Sequence, residues 1–326
     1  MLSTPLEIYR ILVRIRFVEE MIARIYPEQE MRCPVHLCTG QEAVSAGAAT
    51  ALERGDALFG THRSHGPYIA AGGDLQALFE ELYGKEGGCC GGRGGSMHLV
   101  DMRAGFWGAV PIVASILPIA TGVAFAFSLR REARVSMVIL GEGATEEGVF
   151  HESLQYAVFK RLPVVFVCEN NGFAVNTPLR ERRPPNFAIY KLAVAHGMAV
   201  AYGDGNDIRS VHAICHEAVE RARSGQGPSF LEFDTYRWLE HCGPNDDHHF
   251  PCRSRRAYVS WKRRCPVAVA ERQLAAVGVP EIQIKAIRDE ERCAVETALL
   301  AAQRARYPEL ESAVSGVYAL QDEDEL

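Results

Sequence analysis

Apolar positions fall into two rhythms along this chain. From about residue 4 to 26 they recur every three or four places (Leu6, Tyr9, Ile11, Leu12, Ile15, Val18, Ile22, Ile25), the spacing of one helical face. Ser3 or Thr4 followed by Pro5 supplies the cap and the first turn. The same reasoning predicts helices over 41–52 and 75–83 and a small-residue helix over 117–129, where Ala and Gly permit close packing. The segment GKEGGCCGGRGG at 84–95 is too glycine-rich to pack as helix or strand, so a flexible loop is expected.

From residue 135 onward the rhythm becomes strand and helix in alternation. Runs at 135–140, 164–168, 198–202 and 229–235 read as strands, and 147–159 and 207–223 as helices, the latter capped by Asp207. Apolar runs of this length separated by amphipathic helices predict an α/β fold, a parallel sheet flanked by helices on both faces. The last third, after about residue 263, reads as helical, most clearly over 282–305. No repeat and no linker interrupts the chain, so one domain over 1–326 is expected, with an N-terminal helical arm and a C-terminal helical extension.

Composition narrows the function classes. The 326 residues are enough for a substantial core, and 48% hydrophobic with 23% charged residues is ordinary for a globular protein. A formal net charge of -6 argues against a nucleic-acid partner. The basic clusters at 180–183 and 253–256 read as solvated loops, although a diphosphate would also want them. No apolar run approaches the ~18 residues a membrane span needs, and the polar-interrupted N-terminus reads as a helix, not a signal peptide. Ten cysteines without regular spacing point to reduced thiols and a cytoplasmic location. CPVHLC at 33–38 lacks the close pairing of a zinc knuckle, and DEDEL at 322–326 reads as an acidic tail.

Parallel α/β sheets hold ligands beyond the carboxyl ends of their strands, and two such ends here are chemically loaded. One is Gly141, Glu142 and Gly143, running into a helix; the other is Glu169, Asn170 and Asn171. Glycines admit a bulky anion to the backbone, and a helix start offers it free N–H groups. A carboxylate and an amide oxygen from neighbouring strands could hold a hard divalent ion such as Mg2+ shared with phosphate. The patch fails as a dinucleotide fingerprint, because the third glycine, Gly148, is displaced, and fails as a P-loop, because Val149 and Phe150 follow that glycine. Taken alone, it is better explained as a strand-to-helix turn whose glycines relieve sterics.

It is not alone. Glu142 and Asn171 are 29 positions apart (171 - 142) with strand, helix and strand between them, which resembles the thiamin-diphosphate motif that begins Gly-Asp-Gly and ends Asn-Asn. The segments GQEA (40–43), THRSHG (61–66), GGSMH (94–98), LPIATG (117–122), CENNGFAV (168–175) and GPSFLEFDTYR (227–237) are similar, in order, to the alpha subunit of the first component of 2-oxo acid dehydrogenases. That family includes the pyruvate, branched-chain and acetoin dehydrogenases.

The resemblance implies the thiamin-diphosphate-binding fold, with thiamin diphosphate and Mg2+ as cofactors. Glu142, Asn171 and the Phe173 carbonyl would hold the metal. Gly141, Gly143 and Ala144 would meet the diphosphate, and Arg63 and Arg237 would clamp its oxygens with their planar forks. Val113 falls where the backbone meets the aminopyrimidine, and Val175 where a bulky apolar residue bends the cofactor; plain core packing is the alternative for both. His36 and His241 fall at the active-site histidines, with His65 a weaker candidate and no role for His98 or His151. The family's catalytic glutamate comes from a separate beta subunit, so an α2β2 heterotetramer is expected, with a lipoyl acyltransferase as a further partner and no membrane. The implied activity is decarboxylation of a 2-oxo acid with acyl transfer. Non-oxidative acyl or ketol transfer, and a degenerate scaffold subunit, stand as alternatives. Four departures bear on it: Glu142 replaces aspartate, His62 stands where tyrosine is usual, CGPNDDHHF at 242–250 replaces a Ser-rich loop, and FPCR at 250–253 replaces a Tyr-Arg segment.

Overall fold

Strand Ser136–Gly141 shows why the apolar runs are continuous. Its Met137 and Ile139 enter one buried cluster and Val138 and Leu140 another, so both faces of the strand are covered. Strand Val164–Asn170 divides the same way, Val165 and Val167 to one side, Phe166 and Cys168 to the other. These belong to a computed structural model that describes residues 4–314; Ser3 and the acidic stretch at 322–326 lie outside it.

Eight strands are assigned among the described residues: β1 (Ala57–Gly60), β2 (Phe106–Ala109), β3 (Ser136–Gly141), β4 (Val164–Asn170), β5 (Phe173–Ala174), β6 (Thr177–Pro178), β7 (Ala199–Asp204) and β8 (Ser229–Asp234). Six form an all-parallel sheet in the order β2-β1-β3-β4-β8-β7, while β5 and β6 make a separate antiparallel pair. The chain runs outward from β1 to β2, returns to β3 at the centre, and then leaves in the opposite direction to β4. The switch point therefore lies between the carboxyl ends of β1 and β3, where a crevice opens in open α/β sheets.

The four strands expected from periodicity are present, with Ala199–Asp204 starting and ending later than 198–202. β1 and β2 escaped it, being only four residues each (ALFG and FWGA). The N-terminal helix Pro5–Ile25 begins on a reciprocal cap in which Thr4 Oγ1 accepts from Glu7 N–H and the Glu7 carboxylate accepts from Thr4 N–H. Asp207 caps helix Ile208–Arg223 through the amides of Arg209 and Ser210. The helix expected over 147–159 starts at Gly148 and is preceded by a 3-10 turn, Glu142–Glu146. The C-terminal segment forms helix Glu281–Arg304, which packs on the N-terminal helix. No helix among the described residues is long and apolar enough to cross a membrane, and all ten cysteines are free thiols.

The glycine-rich loop is more ordered than its composition predicts. The carboxylate of buried Glu81 accepts N–H groups from Cys90, Gly92, Gly94 and Gly95, at 2.6 to 3.0 Å. One carboxylate thus holds the turn in place of secondary structure, and the loop is delivered to Ser96 and Met97 in a fixed position.

Candidate functional site

A cavity of about 340 Å³ opens at the switch point. Its walls come from the residues just past the ends of three strands: Thr61, His62 and Arg63 after β1, Glu142 to Ala144 after β3, and Asn171 and Phe173 after β4. The register brings Gly141 beside Glu169, so the two loaded strand ends are neighbours. All the expected site residues line the cavity except Arg237 and the weaker candidate His65.

Arg237 is 1% exposed and lies behind the wall. Its Nη1 donates to the Leu239 carbonyl and to Asp247 Oδ2 (3.3 Å), and its Nη2 to the Val175 carbonyl (3.3 Å). Burial, then the charges of Arg63 and Arg253, push its pKa down to about 9. Asp247 belongs to the segment that departs from the family pattern, and it faces inward between Arg237 and Arg253 Nε (2.9 Å). None of residues 242–250 lines the cavity, so in this conformation that segment braces the arginines and does not shape the acyl pocket. The expectation that the basic clusters are solvated holds for Arg180, Arg255 and Arg256 and fails for Arg182, Arg183 and Arg253. Arg253 is buried against the rings of Phe173 and Tyr236, and Arg182 and Arg183 are fastened to the turn after β3.

The polar end of the cavity holds three imidazoles. His36 and His62 have ring centroids 4.8 Å apart, His36 and His241 5.1 Å, and His62 and His241 5.3 Å. Arg63 donates from Nη1 to the Leu37 carbonyl (2.8 Å) and from Nη2 to His241 Nδ1 (3.2 Å). A guanidinium can only donate, so Nδ1 is the acceptor and the His241 proton resides on Nε2. Burial and the nearby guanidiniums lower His36 to about 4, His62 to about 2 and His241 to about 3, so all three are neutral at pH 7. His36 Nδ1 is buried and has no hydrogen-bond partner among the described residues. His65 is set apart from this group. Its ring nitrogens are taken by Glu19 (2.6 Å) and Ser96 Oγ (2.8 Å), and it props the segment that carries Arg63.

The metal ligands that the resemblance implies are all oxygens. Asn171 Oδ1 accepts from Phe173 N–H (3.0 Å), and its Nδ2 donates to Gln41 Oε1 (3.1 Å). Glu142 is 2% exposed, and one carboxylate oxygen is engaged by Arg182 Nη2. Burial raises the Glu142 pKa against the opposing charge of Arg182. A side chain at Gly141 would meet nothing within 4 Å, whereas at Gly143 a Cβ would come 3.2 Å from Ala174 Cβ. Gly141 therefore leaves room open above the strand end, and Gly143 lets the β5 segment pack close. Gly143 and Ala144 sit in the 3-10 turn, not at the start of the helix. The donor types, the open space at Gly141 and the His36 Nδ1 without a partner among the described residues fit a phosphorylated cofactor with a hard cation; Asn171 Oδ1 already accepts one N–H, and Glu142 is held by a cationic side chain.

Val113 and Val175 are not core residues: they are 54% and 52% exposed at the cavity. Val175 has φ +53°, a left-handed conformation that is strained for a β-branched residue. Sequence reasoning missed Gln41 and Glu169. Gln41 bridges Asn171 to Glu169, donating to Glu169 Oε2 (3.1 Å), and burial pushes Glu169 up to about 8 against the pull of Arg63. The signal available was an acid directly before the Asn pair, and a Gln inside the matching segment 40–43.

Comparison with known proteins gives the family. The family model described as "Dehydrogenase E1 component" matches residues 10–311. The chain is 40% identical over 233 residues to the alpha subunit of acetoin:2,6-dichlorophenolindophenol oxidoreductase of Bacillus subtilis (strain 168), covering 72% of this chain and 70% of that protein. It is 33% identical over 322 residues to the chloroplastic pyruvate dehydrogenase E1 component subunit alpha-3 of Arabidopsis thaliana, covering 96% and 74%. It is 32% identical over 305 residues to the pyruvate dehydrogenase E1 component subunit alpha of Zymomonas mobilis, covering 93% and 85%.

Proposed function

This chain belongs to the dehydrogenase E1 component family, and on that premise we propose that its switch-point cavity holds thiamin diphosphate with Mg2+ and processes a 2-oxo acid there. It is an alpha subunit of this thiamin-diphosphate-dependent family and works with a beta subunit. The single match over 10–311 supports reading the chain as one diphosphate-binding domain.

The observation that carries the site assignment is the convergence of Arg63, Gly141, Glu142, Asn171, His36 and His241 on one cavity. Glu142, Asn171 and the Phe173 carbonyl would hold the metal, and Gly143 and Ala144 would face the diphosphate. When bound, thiamin diphosphate supplies a carbon nucleophile and an electron sink for loss of carbon dioxide. The chain's own residues then bind, orient and donate protons. Arg63 holds His241 in the tautomer that donates from Nε2, which suits it to bond an oxygen bearing developing negative charge. Neutral His36 and His62 add hydrogen-bonding capacity without a counter-charge. Val175, exposed and held in its conformation partly by Arg237, would support the cofactor from below. An α2β2 assembly, with the beta subunit covering the cavity mouth and a lipoyl group as acyl acceptor, completes the reading.

The test is reconstitution of the full chain with its beta subunit, followed by calorimetry with thiamin diphosphate and assay of carbon dioxide release from pyruvate and other 2-oxo acids. Cofactor binding that disappears with EDTA, together with cofactor-dependent release, is expected. Binding indifferent to EDTA would remove the metal from the reading. Carboligation without lipoyl acylation would move the reaction to the non-oxidative class.

A further inference from the structure

Arg182 grips the very carboxylate that the metal would need. Its Nη2 donates to Glu142 Oε1 and its Nη1 to Glu146 Oε1, so one guanidinium bridges both ends of the turn Glu142–Glu146. Next to it, Arg183 Nη2 donates to the Thr145 carbonyl at 2.9 Å. The Arg182 side chain is 11% exposed and that of Glu142 only 2%. This is a built contact, not a surface ion pair.

We propose that Arg182 is an internal stand-in cation for Glu142, and that a divalent ion must displace it to bind. The inference rests on the reading of Glu142 as a metal ligand and says how this chain loads that site. A buried carboxylate needs a partner charge, and before loading the guanidinium is that partner. Mg2+ needs a carboxylate oxygen at ~2.0–2.1 Å, and a guanidinium in contact with Oε1 repels a divalent ion approaching either oxygen of the same buried carboxylate, because like charges that close repel. Glu146 provides the way out. Its side chain is 31% exposed and already bonds Nη1, so Arg182 can pivot onto it without leaving either charge unpaired.

The pivot is coupled to the rest of the site through the segment that carries Arg182. The short helix Leu179–Arg182 directly follows β6, its Leu179 N–H donates to the Gly172 carbonyl (2.8 Å), and Arg182 Nε donates to the Thr177 carbonyl (3.2 Å). The same hairpin carries Phe173 and Val175, the proposed carbonyl ligand and the cofactor support. Displacing Arg182 therefore bears on the two residues that must settle around the cofactor.

The experiment is a Mn2+ titration of the full chain with its beta subunit and thiamin diphosphate, with free Mn2+ read by electron paramagnetic resonance. Arg182→Gln is expected to bind Mn2+ about tenfold more tightly than wild type, as expected when a competing ion pair worth about 1.4 kcal/mol is removed. Without metal the same variant should melt at a lower temperature, since Glu142 is left buried and unpaired, and the added ion should restore more stability than it does in wild type. Arg182→Lys, which cannot bridge both carboxylates, should fall between the two and carries the test if the Gln variant does not fold. Equal or weaker Mn2+ affinity in the variants, with wild type binding the ion, would overturn the stand-in role and leave the metal reading intact. Absence of Mn2+ binding in wild type and variants alike, with cofactor binding unaffected by Glu142→Ala, would overturn both.

Discussion

At the scale of single residues, Glu142 is the pivot of the site. Its extra methylene relative to aspartate carries the carboxylate outward, and here that reach brings it to Arg182. Glu142→Ala is expected to weaken metal-dependent cofactor binding about a hundredfold, and Glu142→Asp to keep or tighten it; calorimetry with and without EDTA decides. The histidine trio makes a separate prediction. His36, His62 and His241 have folded pKa values far below the ordinary value near 6.5, so the folded state binds fewer protons than the unfolded chain in that window. They cost no stability above about pH 6.5, and the fold loses stability as pH falls from there toward their folded values of about 4 to 2. His62→Tyr should therefore shift the acid-unfolding midpoint to lower pH, followed by circular dichroism, and an unchanged midpoint would mean that His62 is not held neutral. Val175→Gly should relieve about 1 kcal/mol of backbone strain, raising the melting temperature while loosening cofactor binding through the lost side chain.

At the scale of elements, much was legible and the misses have two causes. Periodicity found the central strands because β3, β4 and β8 are buried on both faces and run six or seven residues. β1 and β2 are too short to show a period, yet β1 delivers His62 and Arg63 to the cavity. The glycine-rich loop was expected to be flexible, since nothing local in it can pack. Glu81 holds it from a helix outside the loop. Glu81→Gln keeps the shape but removes the charge that four amides share, and should cost about 2–3 kcal/mol in urea unfolding and speed amide exchange at 90–95. No change in exchange would mean that glycine packing alone fixes the loop.

At the scale of the whole molecule, the cavity is open on the side where apolar residues meet solvent. Ile112 (68%), Val113 (54%) and Val175 (52%) line it and are exposed. An exposed apolar rim of this kind is a surface that a partner can cover. Ile112→Asp should reduce assembly with the beta subunit in gel filtration, and the alpha chain alone should bind thiamin diphosphate at least about tenfold more weakly than the complex. Equal cofactor affinity with and without the partner would move the beta subunit away from this mouth.

The sequence by itself determined the alternation of strands and helices, the two loaded strand ends and the ordered segments that carry the family resemblance. These are readable because burial on a strand or helix repeats along the chain, and because a ligand site in such a sheet must lie past the strand ends. Only the tertiary structure decided which charges meet. Arg182 reaches Glu142 across 40 positions, Gln41 joins Asn171 across 130, and Arg237 ends behind the wall with Asp247 as its counter-charge. Pairing energies depend on distance and burial in the folded chain, not on spacing along it, and this left the occupant of Glu142 to be read from the fold.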